Sequence, residues 1–210
     1  MTIKKLLEGL LKEKAPGPSP SFSLFHVIKV LELTAKEGPI GRGKLSRRLG
    51  TGEGATRTLI DRLRDAGLIA TSKPGCSLSN KGEKIWNKFQ SVFPKKVELE
   101  KSELTLADCN IAVLIKGCGD KVKRGVEQRD AAILTGAKGA TTLVFKNQTL
   151  IQPGISENLA RDFPTAFNQI TRQLELKDND VVVVGSADTW EKAEYGALAA
   201  AWTLIQNDCD

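Results

Sequence analysis

The hydrophobic positions in the first 90 residues recur at helical spacing and are separated by turn-forming residues. A first amphipathic helix ends before the stretch 15-APGPSPS-21, because proline cannot continue a helix. The same spacing predicts further helices over residues 23–36, 42–49, 53–66 and 79–92. Two short apolar strands, 68–72 and 76–78, enclose a Pro-Gly turn. This order of elements predicts a winged helix-turn-helix, with residues 72–76 as the wing.

The second half of the chain alternates between strands and helices, and two of the strands, at residues 111–115 and 180–184, are apolar runs. The other strands are predicted at residues 140–145 and 149–152, and the helices at residues 120–134, 157–174 and 189–205. Pro164 is expected either near the start of the helix at 157–174 or as a break in it. Strands that are apolar at every position are usually covered on both faces. The pattern therefore predicts a small α/β domain with a mixed sheet.

Together these patterns predict a two-domain protein that combines the α+β and α/β classes. The expected parts are an N-terminal helix and Pro-rich linker at 1–21, a winged helix-turn-helix DNA-binding domain at 22–93, a charged linker at 94–104, and an α/β ligand-sensing or oligomerisation domain at 105–210. The first helix, with its stripe of large aliphatic residues, is expected either to cover its own winged helix or to pair with a second copy.

Charge divides the chain near the same boundary. Residues 1–96 carry 19 Lys and Arg against 8 Asp and Glu, whereas residues 97–210 carry 12 against 17. The first part therefore has a net charge of +11 and the second a net charge of −5. A strongly basic half predicts a polyanionic partner for the first domain. A membrane surface is disfavoured, because no basic helix there carries bulky apolar anchors on its opposite face.

The helix over residues 53–66 is predicted to be the recognition helix, and helical spacing predicts that its buried stripe consists of Ala55, Leu59, Leu63 and Ala66. In a helix-turn-helix, the second helix enters the major groove of duplex DNA with its N-terminal residues at the base edges. This placement predicts base contacts from Glu53, Thr56 and Arg57, and an arginine suits a guanine edge. The remaining cations are expected on phosphates, which give affinity without sequence choice. The full set of expected DNA contacts is Arg42, Lys44, Arg47, Arg48, Glu53, Thr56, Arg57, Arg62 and Lys73.

Several stretches of the chain carry a resemblance to known regulators. The run 38-GPIGRGKLSRRLGTGEGATRTLIDRLRDAGLI-69, with 77-SLSNKGEKIW-86, resembles the winged-helix domain of prokaryotic transcription regulators. The whole chain, including 127-EQRDAAILTGAKGATTL-143 and 185-GSADTWEKAEYGALAAA-201, resembles an archaeal family of winged-helix proteins with an uncharacterised C-terminal domain. The resemblance implies transcription regulation and carries over no known ligand. Glu53 and Asp61 depart from a wholly cationic DNA-facing surface.

Two loops in the second half are candidate ligand sites. Segments 116–120 and 185–188 each follow an apolar strand and lead to a helix N-terminus, which attracts anions. If the two strands are parallel, both loops lie at the edge of the sheet where α/β proteins bind ligands. The alternative is a pair of ordinary glycine turns. The residues expected to form a pocket for a small anionic effector are Lys116, Gly117, Gly119, Gln128, Arg129, Asp130, Thr141, Thr142, Gly185, Ser186, Asp188 and Glu194.

Arg129 and Glu194 are each predicted to lie within the apolar face of a helix. Helical spacing places Arg129 between Val126 and Ile133. A charge on a buried face needs a partner or costs several kcal/mol. Two expectations follow: a structural ion pair between Arg129 and an acid such as Glu194, Glu127 or Asp188, or an Arg129 side chain that binds the effector.

The residue types disfavour catalysis. The single histidine, His26, lies beside the core stripe of a first-domain helix, so no Ser-His-Asp triad can form in the second domain. The four cysteines lack C-x-x-C spacing, which disfavours a zinc site and fits a reducing, cytoplasmic compartment. Cys118 is expected to be a turn residue, with a thiol sensor as the alternative. No metal or cofactor is predicted, and no apolar run is long enough to span a membrane.

Three functional hypotheses remain open at this point. The leading one is a cytoplasmic transcription regulator that binds double-stranded DNA as a homodimer, with a C-terminal domain that senses an effector or mediates dimerisation. The second is a small-molecule enzyme whose winged helix serves oligomerisation or protein contacts. The third is an assembly factor without affinity for DNA. Salt-dependent binding to duplex DNA separates the first hypothesis from the other two.

Overall fold

The computed structural model describes residues 2–12 and 21–205, which form two compact units. The first unit ends at Phe89 and the second begins at Gln90, so the boundary falls in the last turn of the helix Asn80–Val92. The predicted two-domain architecture, helical in its first part and sheet-based in its second, is confirmed. The Pro-rich segment of the predicted linker falls, except for Ser21, outside the described residues.

The first unit has the element order of a winged helix-turn-helix. Its elements are α1 (Ile3–Gly9), α2 (Leu24–Glu37), α3 (Arg42–Leu49), α4 (Glu53–Asp65), β1 (Ile69–Ser72), β2 (Gly75–Leu78) and α5 (Asn80–Val92). Helix α1 packs on α2 and buries Ile3 and Leu7, so it covers its own winged helix. A capping box begins α2, in which the Ser23 N–H donates to Nδ1 of His26 at 2.9 Å.

The helix-turn-helix pair is held by leucines that face each other across α3 and α4. Leu45 and Leu49 of α3, and Leu59 and Leu63 of α4, are at most 1% exposed. Gly50 ends α3 in the left-handed conformation, with a φ of 62°, which favours glycine at this position. The short turn and the shared core therefore set the position of α4 on the unit.

Ile40, which lies between α2 and α3, joins the wing to the helices by pairing with Cys76 of β2. The Ile40 N–H donates to the Cys76 carbonyl at 2.9 Å, and the Cys76 N–H donates back to the Ile40 carbonyl at 2.9 Å. Gly75 has a φ of +139°, and a Cβ on it would lie 2.5 Å from the Ile40 carbonyl carbon. Glycine is required here because the two backbones approach more closely than any side chain allows.

The second unit is built on one five-stranded sheet. Its elements are β3 (Lys95–Leu99), β4 (Cys109–Ile115), α6 (Val126–Leu134), β5 (Gly139–Lys146), β6 (Thr149–Ile151), α7 (Leu159–Asp162), α8 (Pro164–Gln173), β7 (Val181–Ala187) and α9 (Trp190–Trp202). The strand order is β3-β4-β7-β5-β6, and every neighbouring pair is antiparallel. The expectation of a mixed sheet was therefore wrong in this detail.

Helices cover both faces of the sheet, as the wholly apolar strands predict. On one face, Ile170 and Leu174 of the α8 region pack with Val182 and Val184 of β7. On the other face, α9 lies so close to β7 that a Cβ on Gly185 would meet the Ala193 carbonyl oxygen at 2.6 Å. Helix α6 packs beside α9 on that second face.

Three sequence predictions for the second unit need correction. The segment predicted as a linker, 94–104, contains β3, which pairs with β4 and forms an edge of the sheet. The helix predicted at 120–134 is α-helical only from Val126, after a 3₁₀ turn at Gly119–Lys121. The helix predicted at 157–174 is divided at Phe163, because Pro164 starts a new helix at its first position.

Candidate nucleic-acid interface

The outward face of α4 is short and polar. Glu53, Gly54, Arg57 and Thr58 are exposed there, while Leu59, Ile60 and Leu63 are buried. The Arg57 side chain is 73% exposed. Two of the three residues predicted to reach base edges, Glu53 and Arg57, therefore lie on the accessible surface of the helix.

Thr56, the third predicted base contact, is completely buried and cannot reach a nucleic acid. Its hydroxyl forms hydrogen bonds with the Thr51 hydroxyl at 2.9 Å and the Gly52 carbonyl at 3.1 Å. Thr56 thus fastens the turn before α4 to the first turn of that helix. The buried stripe of α4 runs through Thr56, Leu59, Ile60 and Leu63, not through Ala55 as helical spacing predicted.

Arg62 is also engaged inside its own unit. One of its terminal nitrogens donates to the Leu10 carbonyl at 2.7 Å and to the Lys12 carbonyl at 3.2 Å. The guanidinium carbon lies 5.3 Å from the centre of the Phe22 ring, which is a cation–π distance. Arg62 satisfies carbonyls at the C-terminal end of α1, and we correct its predicted role from DNA contact to a structural one.

Asp61 places a negative charge on the same helix as the exposed arginines. It binds Arg64 closely, with 2.8 Å between Asp61 Oδ1 and an Arg64 terminal nitrogen. It lies farther from Arg57, at 4.0 Å from Nε. Asp61 is therefore matched mainly to Arg64, and Arg57 keeps most of its guanidinium accessible.

The remaining predicted cations of this unit are all exposed. They are Arg42, Lys44, Arg47 and Arg48 on α3, and Lys73 at the tip of the wing. Two of them share one acid, since Glu37 lies 2.7 Å from Lys44 Nζ and 3.0 Å from a terminal nitrogen of Arg48. The hydrogen bond from Lys44, followed by the positive charges of Lys44 and Arg48, lowers the pKa of Glu37. Glu37 therefore orients two cations at the C-terminal end of α2.

Sequence reasoning overlooked Thr58. It follows Arg57 on the exposed face of α4, and its hydroxyl donates to the Gly54 carbonyl at 3.1 Å. The hydroxyl oxygen keeps a free acceptor position, and threonine hydroxyls contact bases or phosphates. Helical spacing could have predicted that Thr58 is exposed. It would have required a buried stripe that includes Thr56 in place of Ala55.

The twelve residues predicted to bind a ligand do not converge on one site. Strands β4 and β7 are antiparallel, so the segments that follow them lie at opposite ends of the sheet. A seven-residue strand separates them by roughly 20 Å. The premise of parallel strands was wrong, because apolar runs show that a strand is buried but not in which direction it pairs.

At the end of the sheet that carries residues 116–120, the Asp180 carboxylate binds the predicted loop. Its carboxylate, 2% exposed, lies 2.7 Å from Lys116 Nζ and accepts a hydrogen bond from the Gly117 N–H at 3.2 Å. The Gly119 N–H donates to the Asn179 carbonyl at 2.8 Å. Lys116, Gly117 and Gly119 therefore have structural partners within the loop.

At the other end, the predicted loop is mostly strand. Gly185 and Ser186 belong to β7 and are buried. The Ser186 hydroxyl donates to the Asn110 side chain at 2.7 Å and accepts from the Leu106 N–H at 3.1 Å. Asp188 is exposed and lies 3.0 Å from Lys138 Nζ.

Arg129 and Glu194 do not pair with each other. The Arg129 side chain is 56% exposed and lies 3.1 Å from Asp130, its neighbour on α6. Glu194 is bonded to Lys96 on β3. The predicted apolar face of α6 was wrong, because Val126 and Ile133 are about half exposed while Gln128 and Ala132 face the core.

The remaining predicted ligand residues are Gln128 on α6 and Thr141 and Thr142 on β5. The Thr141 hydroxyl donates to the Leu104 carbonyl at 3.3 Å. Gln128 donates to the Thr203 hydroxyl at 2.6 Å, while its side-chain oxygen and the Thr142 hydroxyl, both buried, have no hydrogen-bond partner among the described residues. Buried polar atoms of this kind are commonly satisfied by an internal water.

The second unit also has an open groove of about 1050 Å³. It is lined by residues of the edge strand β3 and the segment after it, by residues of α8, and by Trp190; the lining includes Glu98, Lys101, Thr165, Arg172 and Trp190. None of the predicted ligand residues is among the residues that line it.

Over residues 2–12 and 21–205, no group of three or more His, Cys, Asp or Glu side chains could hold a metal ion. Within the same ranges, no helix has the length and apolar character needed to cross a bilayer.

Comparisons with known proteins agree with this division of the chain. Residues 25–93 match the sequence model of the CggR N-terminal DNA binding domain, and residues 106–204 match that of a domain of unknown function, DUF4443. None of the curated proteins matches the chain. A solved structure, a hypothetical protein from Pyrococcus horikoshii, matches with a TM-score of 0.71 and 28% identity, covering 90% of this chain and 96% of its own. The chain thus joins a segment similar to the CggR N-terminal DNA binding domain to a segment similar to DUF4443, and the Pyrococcus horikoshii protein is similar over most of its length.

Proposed function

We propose that this protein is a transcription regulator that binds duplex DNA through its winged helix. The observation that carries the proposal is the exposed cationic surface on α3, α4 and the wing, in a unit whose buried face positions α4. The similarity of residues 25–93 to the CggR N-terminal DNA binding domain supports it.

In the proposed complex, α4 enters the major groove by its N-terminal half. Arg57 contacts a base edge, with Glu53 and Thr58 beside it, because these are the accessible side chains on the outward face of the helix. The cations of α3 and Lys73 of the wing contact phosphates on either side. Thr56 and Arg62 take part only by holding α4 in place.

Binding to DNA is tested by fluorescence anisotropy with labelled duplexes over a range of salt concentrations. A preferred duplex is first selected from a random pool with the wild-type protein. We expect the affinity to fall linearly in log–log form as salt increases, since phosphate contacts release counterions. Protein that ignores duplex DNA even at low salt would refute the proposal.

Two single variants separate the proposed roles. Arg57→Ala is expected to lose about 1–3 kcal/mol of preference for the selected duplex over a scrambled one. Lys73→Ala is expected to weaken both duplexes alike and to reduce the salt slope by about 1. Lys146→Ala, which removes an exposed charge from the second unit, is the matched control and should leave preference and slope unchanged.

The second unit is proposed to assemble the regulator as a homodimer. Winged helix-turn-helix proteins that read palindromic sites place two copies of the recognition helix about one helical turn of DNA apart. Sensing of a small anionic effector by this unit stays a prediction. Native mass spectrometry of the purified protein tests it, because a retained effector adds mass that is lost on denaturation.

A further inference from the structure

Helix α6 of the second unit presents an exposed stripe in which two charged residues lie between two apolar ones. Val126 is 47% exposed and Ile133 is 46% exposed. Between them lie Arg129 and Asp130, whose side chains are 56% and 57% exposed. These four positions follow the i, i+3, i+4, i+7 spacing of a helix surface that packs against another helix.

This stripe has the same spacing of apolar and charged positions in both directions along the helix. The midpoint between Arg129 and Asp130 is also the midpoint between Val126 and Ile133. A second copy of α6, laid antiparallel about that midpoint, sets each valine against the isoleucine of the other copy. It also sets each arginine against the aspartate of the other copy. A surface that complements itself in this way is what a two-fold symmetric interface requires.

We propose that α6 is the dimerisation surface of this protein and that its occupant is α6 of a second copy. The inference deepens the homodimer of the proposed function, but it depends only on residues of the second unit. Two symmetric Arg129–Asp130 pairs cross the interface, flanked by two Val126–Ile133 contacts.

Neighbouring residues favour the same arrangement. Lys123 and Arg124 are exposed just before α6, so antiparallel pairing brings them to the C-terminal end of the second helix, where its dipole attracts cations. Leu106 is 59% exposed and adds apolar surface near Arg129, since both side chains lie within 4 Å of where a Cβ on Gly139 would be.

The contact that Arg129 makes within its own chain is weak, so a contact across the interface can replace it. Its contact with Asp130 joins adjacent residues at 3.1 Å on an exposed surface, and such exposed pairs contribute little. Exchanging it for a pair across an interface removes the charges from water while keeping each of them matched. Arg129 and Asp130 therefore contribute specificity for a second copy, and the aliphatic residues contribute the buried area.

The inference is tested by sedimentation velocity over a range of protein concentrations without DNA. The wild-type protein is expected to dimerise. Arg129→Glu sets glutamate against aspartate twice, and Asp130→Arg sets arginine against arginine twice, so each is expected to raise the dimer Kd by about tenfold or more. The double variant Arg129→Glu/Asp130→Arg restores opposite charges and is expected to dimerise like the wild type.

A mixing experiment gives the sharpest result. An equimolar mixture of the Arg129→Glu and Asp130→Arg proteins should form a heterodimer, because each copy then meets its complement. Arg161→Glu is the matched control, since Arg161 also pairs with the next residue, Asp162, at 2.7 Å on an exposed surface of the same unit. It should leave the Kd unchanged.

Three outcomes would overturn the inference: a wild-type protein that stays monomeric, a dimer that Arg129→Glu does not weaken, or single variants that are rescued neither in the double variant nor by mixing. Far-UV circular dichroism confirms that the variants fold, which is expected because both side chains are exposed. The DNA-binding experiments use residues of the first unit, so failure of this inference and failure of the proposed function are separate results.

Discussion

Replacing Gly75 by alanine tests whether the close approach of Ile40 and the wing holds the winged helix together. At this position a Cβ would lie 2.5 Å from both the carbonyl carbon and the carbonyl oxygen of Ile40, and the φ of +139° is one that an alanine rarely adopts. The strand must therefore move away from Ile40. That movement breaks the two 2.9 Å hydrogen bonds between Ile40 and Cys76.

The size of the effect follows from these losses. Backbone strain at such a φ costs about 1–3 kcal/mol. Each of the two hydrogen bonds contributes about 0.5–1.5 kcal/mol. Since relaxation that relieves the strain gives up the hydrogen bonds, the two costs are alternatives, and we expect Gly75→Ala to lower the free energy of unfolding of the first unit by about 1–3 kcal/mol. We also expect it to weaken DNA binding, because Lys73 is carried by the displaced wing.

Gly43→Ala is the matched control in the same unit. A Cβ on Gly43 would meet nothing within 4 Å, and the residue lies in helix α3. Alanine favours a helix over glycine by up to about 1 kcal/mol, so this variant should be as stable as the wild type or more so.

Hydrogen–deuterium exchange read by mass spectrometry is the suitable assay, because it reports peptides of the first unit separately from those of the second. Peptides that contain β1, β2 and Ile40 should lose protection in Gly75→Ala and keep it in Gly43→Ala. Equal protection in the two variants would refute the reasoning, since it would mean that the wing tolerates a side chain at its closest backbone contact.

Two further predictions concern a titrating group and a buried ion pair. Burial lowers the pKa of His26 below its usual 6.5, so as pH falls the unfolded chain takes up a proton before the folded chain does, and stability is lost from about pH 6.5 downwards. His26→Gln keeps an acceptor at the same position of the capping box and should flatten the urea midpoint between about pH 5 and 7; a variant as pH-dependent as the wild type in this range would contradict the assignment. Asp180→Asn removes the buried partner of Lys116 and should lower the free energy of unfolding of the second unit by about 1–3 kcal/mol in urea denaturation. Asp188→Asn, which breaks the exposed pair with Lys138, should change it by less than about 1 kcal/mol, and similar losses in both would show that burial of Asp180 is unimportant.

The helices of the first unit were predicted closely from the sequence. The predicted ranges 23–36, 42–49 and 53–66 correspond to Leu24–Glu37, Arg42–Leu49 and Glu53–Asp65. These elements are local: leucines at helical spacing mark the buried face, and glycines such as Gly50 and Gly67 end the helices in left-handed conformations. Together with the hairpin, they determine the winged-helix fold and the exposed position of Arg57.

Tertiary structure decided which small or polar residues of these helices are buried. Ala55 and Thr56 are adjacent on α4 and similar in size, so spacing alone does not select the inward one. The turn before the helix selects Thr56, because Thr51 and Gly52 provide partners for its hydroxyl. The Arg62 guanidinium is likewise engaged by the carbonyls of Leu10 and Lys12, which follow α1 and are distant in sequence.

In the second unit, too, the sequence determined which segments are buried, and the tertiary structure determined how they pair. The composition of β4 and β7 determined that both strands are buried, but strand direction depends on the path of the chain between them, and the two proved antiparallel. The helix α6 is only nine residues long, so a few aliphatic side chains could not identify its inner face. Periodicity along a chain determines which segments become helices or strands, whereas the pairing and facing of those segments depend on contacts between residues that are far apart in sequence.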